Sequence, residues 1–254
     1  GDPNTLAEQC GITTVADFRR RDVAAMGQGA PLVPAFHEYF LRHSDKNRII
    51  LNIGGISNIT LLQRDHSQAV LGYDTGPGNV LMDAWCYRHL NKSHDDGGQW
   101  ACSGKLQTSL LERMLSTDYL ALSPPKSTGR ELFHIGWLEK LLAGFELSAE
   151  DVQATLLEFT ARTISDAINN HSLQQLELYV CGGGARNDAL LQRLSELLSP
   201  TTVATTDSLG LPCEWLEAIA FAWLAKACLD GTEANLPSVT GARGRRILGG
   251  IYQA

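Results

Sequence analysis

The sequence lacks the segments that would place it in a membrane or in a disulfide-bonded secreted protein. It contains no run of about eighteen apolar residues, and no secretory signal precedes its first block. Its six cysteines form no Cys-x-x-Cys pair, and those at 86, 181 and 228 lie within apolar patterns, as buried thiols do. We therefore expect a cytoplasmic protein with reduced cysteines.

Positive charge and metal-binding spacings are also scarce. The chain has 21 lysines and arginines against 28 acidic residues, a net charge of −7. This balance argues against general binding to nucleic acid or to anionic membranes. The seven histidines show no His-x-x-x-His spacing, and no Gly-Lys-Ser/Thr sequence marks a Walker phosphate loop. With 254 residues, 44% of them hydrophobic, the chain can bury a large core in one domain or two lobes.

The most informative stretch is 71–85, Leu-Gly-Tyr-Asp-Thr-Gly-Pro-Gly-Asn-Val-Leu-Met-Asp-Ala-Trp. Its Asp74 stands between a strand-like apolar run and a Gly-Pro-Gly turn that leads into a helical pattern. A carboxylate at a strand end, beside bare backbone, can act as a base on a hydroxyl or a water. The same residues also fit a turn that caps a helix, and the pattern alone leaves both interpretations open.

Two further segments place glycines directly after a strand. Gly54 and Gly55 follow an apolar run in 51–58, and three consecutive glycines, 182–184, follow another in 179–187. Strand–glycine–helix units bind phosphates and nucleotides because loop N–H groups and the helix N-terminus face the anion. The first pair suits the β- and γ-phosphates, and the triplet suits the adenosine side. The alternative for each is a tight turn without a ligand.

Together these segments resemble the bacterial anhydro-N-acetylmuramic acid kinases, a family of the sugar kinase, heat-shock-70 and actin superfamily. The resemblance extends to four more blocks: 17–22, 27–34, 125–131 and 235–242. It implies an α/β fold, the actin-like ATPase (ribonuclease H-like) two-lobe fold, with an incomplete first lobe. The family's N-terminal Gly-Thr-Ser-x-Asp-Gly loop is not in this sequence, and we expect about 100 residues of that lobe to be missing.

The resemblance also implies a domain plan. Residues 1–47 would be the remainder of the N-terminal lobe, and 48–235 the C-terminal lobe with Asp74 and the glycine loops. A tail, 236–254, would pack back on the first lobe. Within this plan we predict three strands before the first helix of the second lobe. We also expect Asn79 and Ser148 to be helix N-caps.

For function, the resemblance implies an ATP-dependent kinase of bacterial cell-wall recycling. Such a kinase opens 1,6-anhydro-N-acetylmuramic acid with water and phosphorylates O6, giving N-acetylmuramic acid 6-phosphate. Asp74 matches the catalytic base. The remaining site residues implied are Gly54, Gly55, Gly182, Gly183, Gly184 and Asn187 for the nucleotide, and Arg19, Arg20, Asp22, Gly76 and Asn79 for the sugar.

The partners expected are ATP with Mg²⁺ and a small sugar, without nucleic acid or membrane, and the metal ligands remain unknown. The sequence does not reveal the oligomeric state, and a homodimer is one candidate. Three alternatives remain: another small-molecule kinase of the superfamily, a nucleotide-gated binding module, and an inactive nucleotide-binding fragment. From the residues alone, the run Arg19–Arg21 between Asp17 and Asp22 favours an exposed, partly neutralised loop.

Overall fold

The structure, a computed structural model, describes all 254 residues, which form two compact units. Unit 1 contains Gly1–Asp45, Thr60–Gly72 and Trp215–Ala254, and unit 2 contains Lys46–Ile59 and Tyr73–Glu214. Unit 1 thus includes 60–72 and 215–235, which the domain plan assigned to the C-terminal lobe. No helix in the structure combines the length and the apolar character required to cross a membrane.

The strands form one two-stranded and one five-stranded sheet. They are β1 (Thr14–Ala16), β2 (Asn47–Ile53), β3 (Ile56–Leu62), β4 (Leu71–Pro77), β5 (Leu176–Cys181), β6 (Thr202–Thr205) and β7 (Gly250–Tyr252). In unit 1, β1 pairs antiparallel with β7. The larger sheet has the order β4-β3-β2-β5-β6.

The chain forms eleven α-helices. They are α1 (Pro3–Cys10), α2 (Arg20–Ala24), α3 (Val33–Leu41), α4 (Val80–Leu90), α5 (Gln99–Ser103), α6 (Thr108–Leu115), α7 (Ile135–Leu142), α8 (Ala149–Asn169), α9 (Asp188–Leu197), α10 (Leu216–Leu229) and α11 (Pro237–Thr240). Short 3₁₀ helices span Asp96–Gly98, Asp118–Ala121, Gly183–Arg186 and Thr206–Leu209.

The larger sheet is mixed. A two-residue connection joins the neighbouring strands β2 and β3, and so short a link requires an antiparallel pair. The strands β2, β5 and β6 pair in parallel and are reached through helical crossovers. The strands β2, β3 and β4 precede the helix α4, so the prediction of three strands before the first helix of the second lobe agrees with the element order. The α/β fold class is confirmed.

The long helix α8 is the centre of the core of unit 2. It begins as predicted, since the Ser148 hydroxyl accepts a hydrogen bond from the Asp151 N–H at 3.2 Å. Val152, Leu156 and Phe159 are buried at helical spacing. The Phe159 ring stacks on Trp137, with the ring centroids 5.9 Å apart. This helix contacts α4, α5, α6 and α9, so it fixes the layer of helices behind the sheet.

The core of unit 1 joins residues from both ends of the chain. Leu32 and Leu224 pack with Ala227, Ala234 and Leu248 in one buried cluster. This packing explains why the segment from Trp215 onward belongs to unit 1. The tail returns to residues 1–45 through the pairing of β7 with β1.

A buried carboxylate links three segments of unit 1. Asp22 is completely buried and accepts hydrogen bonds from the Gly29 N–H at 2.9 Å, from Asn235 Nδ2 at 2.7 Å and from the Thr240 hydroxyl at 2.8 Å. A buried charge is tolerated only when it is hydrogen-bonded in this way. Asp22 therefore links these three segments of unit 1.

Replacement of Asp22 by alanine should be strongly destabilising, because it removes the acceptor of the Gly29 N–H and one of the two acceptors of both Asn235 Nδ2 and the Thr240 hydroxyl. We expect the free energy of unfolding to fall by about 3 kcal/mol or more. Urea unfolding followed by circular dichroism measures the change. The matched control is Asp45→Ala at an exposed position, which should change stability by less than about 0.5 kcal/mol. Equal effects of the two variants would contradict this account of Asp22.

Candidate active site

The two predicted glycine turns lie at the same edge of the sheet in unit 2. The parallel register of β2 and β5 sets Asn52 opposite Cys181, so the chain leaves both strands side by side. In open α/β sheets, ligands bind outside the carboxyl ends of the strands. This edge is therefore where a nucleotide site is expected.

The Gly54–Gly55 turn is held by the start of α4. The Gly54 carbonyl accepts a hydrogen bond from the Asn79 N–H at 2.8 Å, and the Gly55 carbonyl accepts from Gly78 and Val80 at 2.9 and 3.1 Å. The remaining main-chain polar atoms of the turn are its N–H groups, which suit an anion. Asn79 precedes α4 as predicted, but its side chain does not cap the helix. Its Nδ2 donates to the Ile53 carbonyl at 3.3 Å instead.

Backbone conformation and packing, as well as the predicted nucleotide binding, favour glycine in the triplet 182–184. Gly182 has a φ of +80°, a backbone conformation that favours glycine, and its N–H donates to the Cys213 carbonyl at 3.0 Å. A Cβ on Gly184 would overlap the side chain of Ile53, whereas one on Gly183 would meet only Asn79 Nδ2 at 3.7 Å. Gly182 and Gly184 thus pack against β2, and the exposed Gly183 presents bare backbone.

A cavity of about 430 Å³ lies between the triple-glycine turn and α4. Four residues predicted from the sequence line it, namely Asn79, Gly183, Gly184 and Asn187. The Asn187 side chain also caps α9, since its Oδ1 accepts from the Leu190 N–H at 3.1 Å. The structure therefore places Gly183, Gly184 and Asn187, which were predicted for the nucleotide, and Asn79, which was predicted for the sugar, around one cavity of unit 2.

Asp83 also lines this cavity. Burial raises the pKa of the Asp83 carboxyl to about 6, and the positive charges of His94 and Arg130 act against this rise. A perturbed carboxyl in a cavity is a candidate functional group. The signal available in the sequence was its place on α4, nine residues after Asp74.

Asp74 lies within β4 and not in a turn after it. The strand continues through the Gly-Pro segment to Pro77, which corrects the predicted turn. Ser57 on β3 explains the difference, because its hydroxyl donates to the carbonyl of Gly76 at 3.2 Å and lies 2.7 Å from the Thr75 hydroxyl. Such cross-strand hydrogen bonds keep the segment extended.

The Asp74 carboxylate is half-buried and held at one oxygen. Its Oδ2 accepts hydrogen bonds from the Ser127 hydroxyl and the Thr128 N–H, each at 3.0 Å. The second oxygen, Oδ1, takes neither bond. Burial raises the pKa of Asp74, the two hydrogen bonds oppose the rise, and the negative charge of Glu131 adds to it. This is a carboxylate whose orientation is fixed at one oxygen, and an oriented carboxylate can act as a general base.

The loop that holds Asp74 also carries two basic residues with different surroundings. Lys126 turns inward, where its Nζ donates to the carbonyls of Tyr119 and Leu120 at 3.4 and 3.1 Å. Arg130 is exposed, and its Nη2 lies 3.9 Å from the position that a Cβ of Gly55 would occupy. Arg130 is thus the cation of this loop that lies beside the proposed phosphate turn.

The residues predicted to bind the sugar separate into distinct environments. Arg19 and Arg20 are exposed in unit 1, where Arg20 pairs with Asp17 at 3.3 Å. Asp22 lies in the buried network of unit 1, and its contact with the sugar stays a prediction. Gly76 is buried, and a Cβ there would approach Thr163 of α8 at 3.2 Å. Its small size therefore serves helix packing, and its contact with the sugar stays a prediction.

Comparison with known proteins identifies the family. The family model described as AnmK, anhydro-N-acetylmuramic acid kinase, matches residues 1–254. The kinase of this name from Coxiella burnetii is 55% identical over 252 residues, which cover 99% of this chain and 68% of the relative. That from Pseudomonas syringae pv. syringae is 53% identical over 255 residues, 100% of this chain and 70% of the relative.

The chain belongs to the anhydro-N-acetylmuramic acid kinase family. The predicted resemblance and the predicted enzyme class, a phosphotransferase, are therefore confirmed. Family membership identifies the chain as a kinase. It does not assign a role to any individual side chain.

Solved structures show more distant likenesses. An activator of 2-hydroxyisocaproyl-CoA dehydratase from Clostridium difficile, with bound ADPNP, has a TM-score of 0.48 at 15% identity, covering 78% of this chain and 67% of that one. The ethanolamine utilization protein EutJ from Carboxydothermus hydrogenoformans has a TM-score of 0.36 at 14% identity, covering 68% and 48%. Neither is close enough to inform the site.

The triple glycine offers a matched test of its packing. Gly184→Ala should lower the free energy of unfolding by about 1–3 kcal/mol, because the new methyl group overlaps Ile53. Gly183→Ala should change it by less than about 0.5 kcal/mol, since that position is exposed and open. Urea unfolding of both variants measures the difference. Equal losses would show that the turn is not packed on β2 as described.

Proposed function

We propose that this kinase opens 1,6-anhydro-N-acetylmuramic acid with water and transfers the γ-phosphoryl group of ATP to O6. The product is N-acetylmuramic acid 6-phosphate, formed during recycling of the bacterial cell wall in the cytoplasm. The observation that carries the proposal is the Asp74 carboxylate, which one loop holds at Oδ2. It supports the role that the family resemblance implies for this residue.

The reaction assigns Asp74 a single proton transfer. Its carboxylate takes a proton from water as the water oxygen bonds to the anomeric carbon. The bond between that carbon and the bridging oxygen breaks, and its electron pair remains on O6. O6 then bonds to the γ-phosphorus, and ADP leaves. General-base help of this kind contributes typically about 10²–10⁴ in rate, and the remaining acceleration must come from positioning and charge stabilisation.

The glycine turns serve the nucleotide in this proposal. The Gly54–Gly55 turn presents N–H groups to the β- and γ-phosphates, and Arg130 beside it supplies a positive charge. The cavity next to Gly183 and Gly184 holds the adenosine side. Its Asp83 accepts hydrogen bonds from nucleotide hydroxyls when ionised, above its pKa of about 6.

The sugar contacts proposed are Asn79 and the exposed side chains of Arg19 and Arg20. Arg19 and Arg20 are basic groups able to bind carboxylate or hydroxyl oxygens, and Arg20 would have to leave its contact with Asp17. Exposed ion pairs of this kind contribute little, typically up to about 1 kcal/mol. The cost of freeing Arg20 is therefore small.

Magnesium accompanies ATP in kinases, bound mainly by phosphate oxygens with one or two carboxylates. No group of three or more histidine, cysteine, aspartate or glutamate side chains converges anywhere in the described chain. We therefore assign no ligand residue and derive no step through the metal.

The direct test of the base is Asp74→Asn in the full-length protein. The amide keeps the shape of the side chain but cannot take a proton from water, so turnover of the anhydro sugar should fall by at least about 10²-fold. The affinity for ATP should remain within about twofold, because Asp74 is not part of the nucleotide cavity. Coupled ADP release, mass spectrometry of the sugar product and equilibrium ATP binding provide the three measurements.

The matched control is Asp45→Asn at an exposed position in unit 1, which should keep the activity of the natural protein. An Asp74→Asn variant with normal turnover would overturn the assignment of the base. A natural protein that phosphorylates another small molecule but leaves the anhydro bridge intact would favour the wider kinase class.

Arg130→Met tests the positive charge beside the Gly54–Gly55 turn. Loss of a charged contact to phosphate should raise the KM for ATP about tenfold, since such contacts contribute about 1.5–3 kcal/mol. Steady-state kinetics at varied ATP give the value. Lys140→Met removes the same charge from an exposed position on α7 and should leave the KM unchanged. Identical kinetics of the two variants would exclude Arg130 from the phosphate site.

A further inference from the structure

A single segment, 119–128, contacts Asp74 at its main chain and its side chain. The Tyr119 hydroxyl donates to the Asp74 carbonyl at 2.7 Å, and the Asp74 N–H donates to the Lys126 carbonyl at 3.3 Å. The Ser127 hydroxyl and the Thr128 N–H bind Oδ2. Four hydrogen bonds from one stretch of chain therefore fix both the backbone and the carboxylate of this residue.

Lys126 connects the two ends of the same segment by hydrogen bonds. Its ammonium group binds the carbonyls of Tyr119 and Leu120, which lie in the short helix Asp118–Ala121. It also lies 4.9 Å from the centre of the Tyr119 ring, within the range of a cation–π contact. Burial lowers the pKa of Lys126. The lysine thus joins the two ends of the segment that contact Asp74.

We propose that Ser127 and the Thr128 N–H are positioning groups that hold Oδ2 of Asp74 and direct Oδ1 at the attacking water. The proposal deepens the proposed function and rests on it. Its physical basis is that both donors bind the same oxygen, which fixes the rotation of the carboxylate about its Cβ–Cγ bond. A base displaced by about 1 Å costs on the order of 10² in rate.

The two donors also affect the pH range in which the Asp74 carboxylate is ionised. Hydrogen bonds to the ionised form favour it, so the Ser127 and Thr128 bonds lower the pKa of Asp74 against the effects of burial and Glu131. The titratable groups on β4 and on residues 118–131 around Asp74 are Tyr73, Asp118, Tyr119, Lys126, Arg130 and Glu131. Because the base must be ionised, activity falls as the pH drops through the Asp74 pKa. Loss of the Ser127 bond raises that pKa and moves the acid limb to higher pH.

The test is Ser127→Ala in the full-length protein, with ATP and 1,6-anhydro-N-acetylmuramic acid as substrates. We expect kcat to fall about tenfold with the KM for ATP unchanged, and the acid limb of the kcat profile to move to higher pH. Ser127→Thr keeps the hydroxyl and should restore both values. Glu131→Gln removes the neighbouring negative charge and should move the limb the opposite way, to lower pH.

Ser116→Ala is the control, because its exposed hydroxyl binds only the Arg113 carbonyl, and it should match the natural protein. If Ser127→Ala does not fold, Ser127→Cys replaces it, since a thiol is a weaker donor of similar shape, and a smaller shift in the same direction is expected. An unchanged kcat and acid limb in the folded variant would overturn the positioning role. The Asp74→Asn variant in the same assay distinguishes the two proposals. If Asp74→Asn is inactive, an unchanged Ser127 variant overturns only the positioning role. If Asp74→Asn is active, the assignment of Asp74 as the base is overturned.

Discussion

The candidate site depends on the parallel pairing of β2 and β5. Their register sets Asn52 opposite Cys181, so the chain turns at Gly54 and at Gly182 at the same edge of the sheet. A slip of one residue would turn every side chain of a strand to the opposite face and would separate the two turns. Gly184 is packed so closely on Ile53 that no side chain fits between them. The nucleotide cavity is therefore a consequence of sheet register.

The second determinant is the loop that follows the Asp118–Ala121 helix. It holds the carboxylate of Asp74 through Ser127 and Thr128, and four residues after Lys126 it places Arg130 beside Gly55. The proposed base and the proposed phosphate cation are thus fixed by one short stretch of unit 2. A kinase that coordinates attack by water with phosphoryl transfer needs both groups in defined positions.

Local sequence signals predicted much of this arrangement. The apolar runs before Gly54 and Gly182 indicated the strands, and Ser148 with its acidic first turn indicated the start of α8, because caps and strand patterns act over a few residues. The extension of β4 past Asp74 was not predictable, since it depends on Ser57 of another strand. The hydrogen-bond network of Asp22 was not predictable for the same reason: its partners Asn235 and Thr240 lie more than 200 residues away in the chain.

The most direct test of the nucleotide site is an NMR titration of the ¹⁵N-labelled chain with a non-hydrolysable ATP analogue. The account predicts that the amide signals of Gly54, Gly55, Gly183 and Gly184 shift together along one binding curve, because these N–H groups lie at the edge where β2 and β5 end. Shifts confined to other regions, or no binding by a chain that retains its native spectrum, would contradict it.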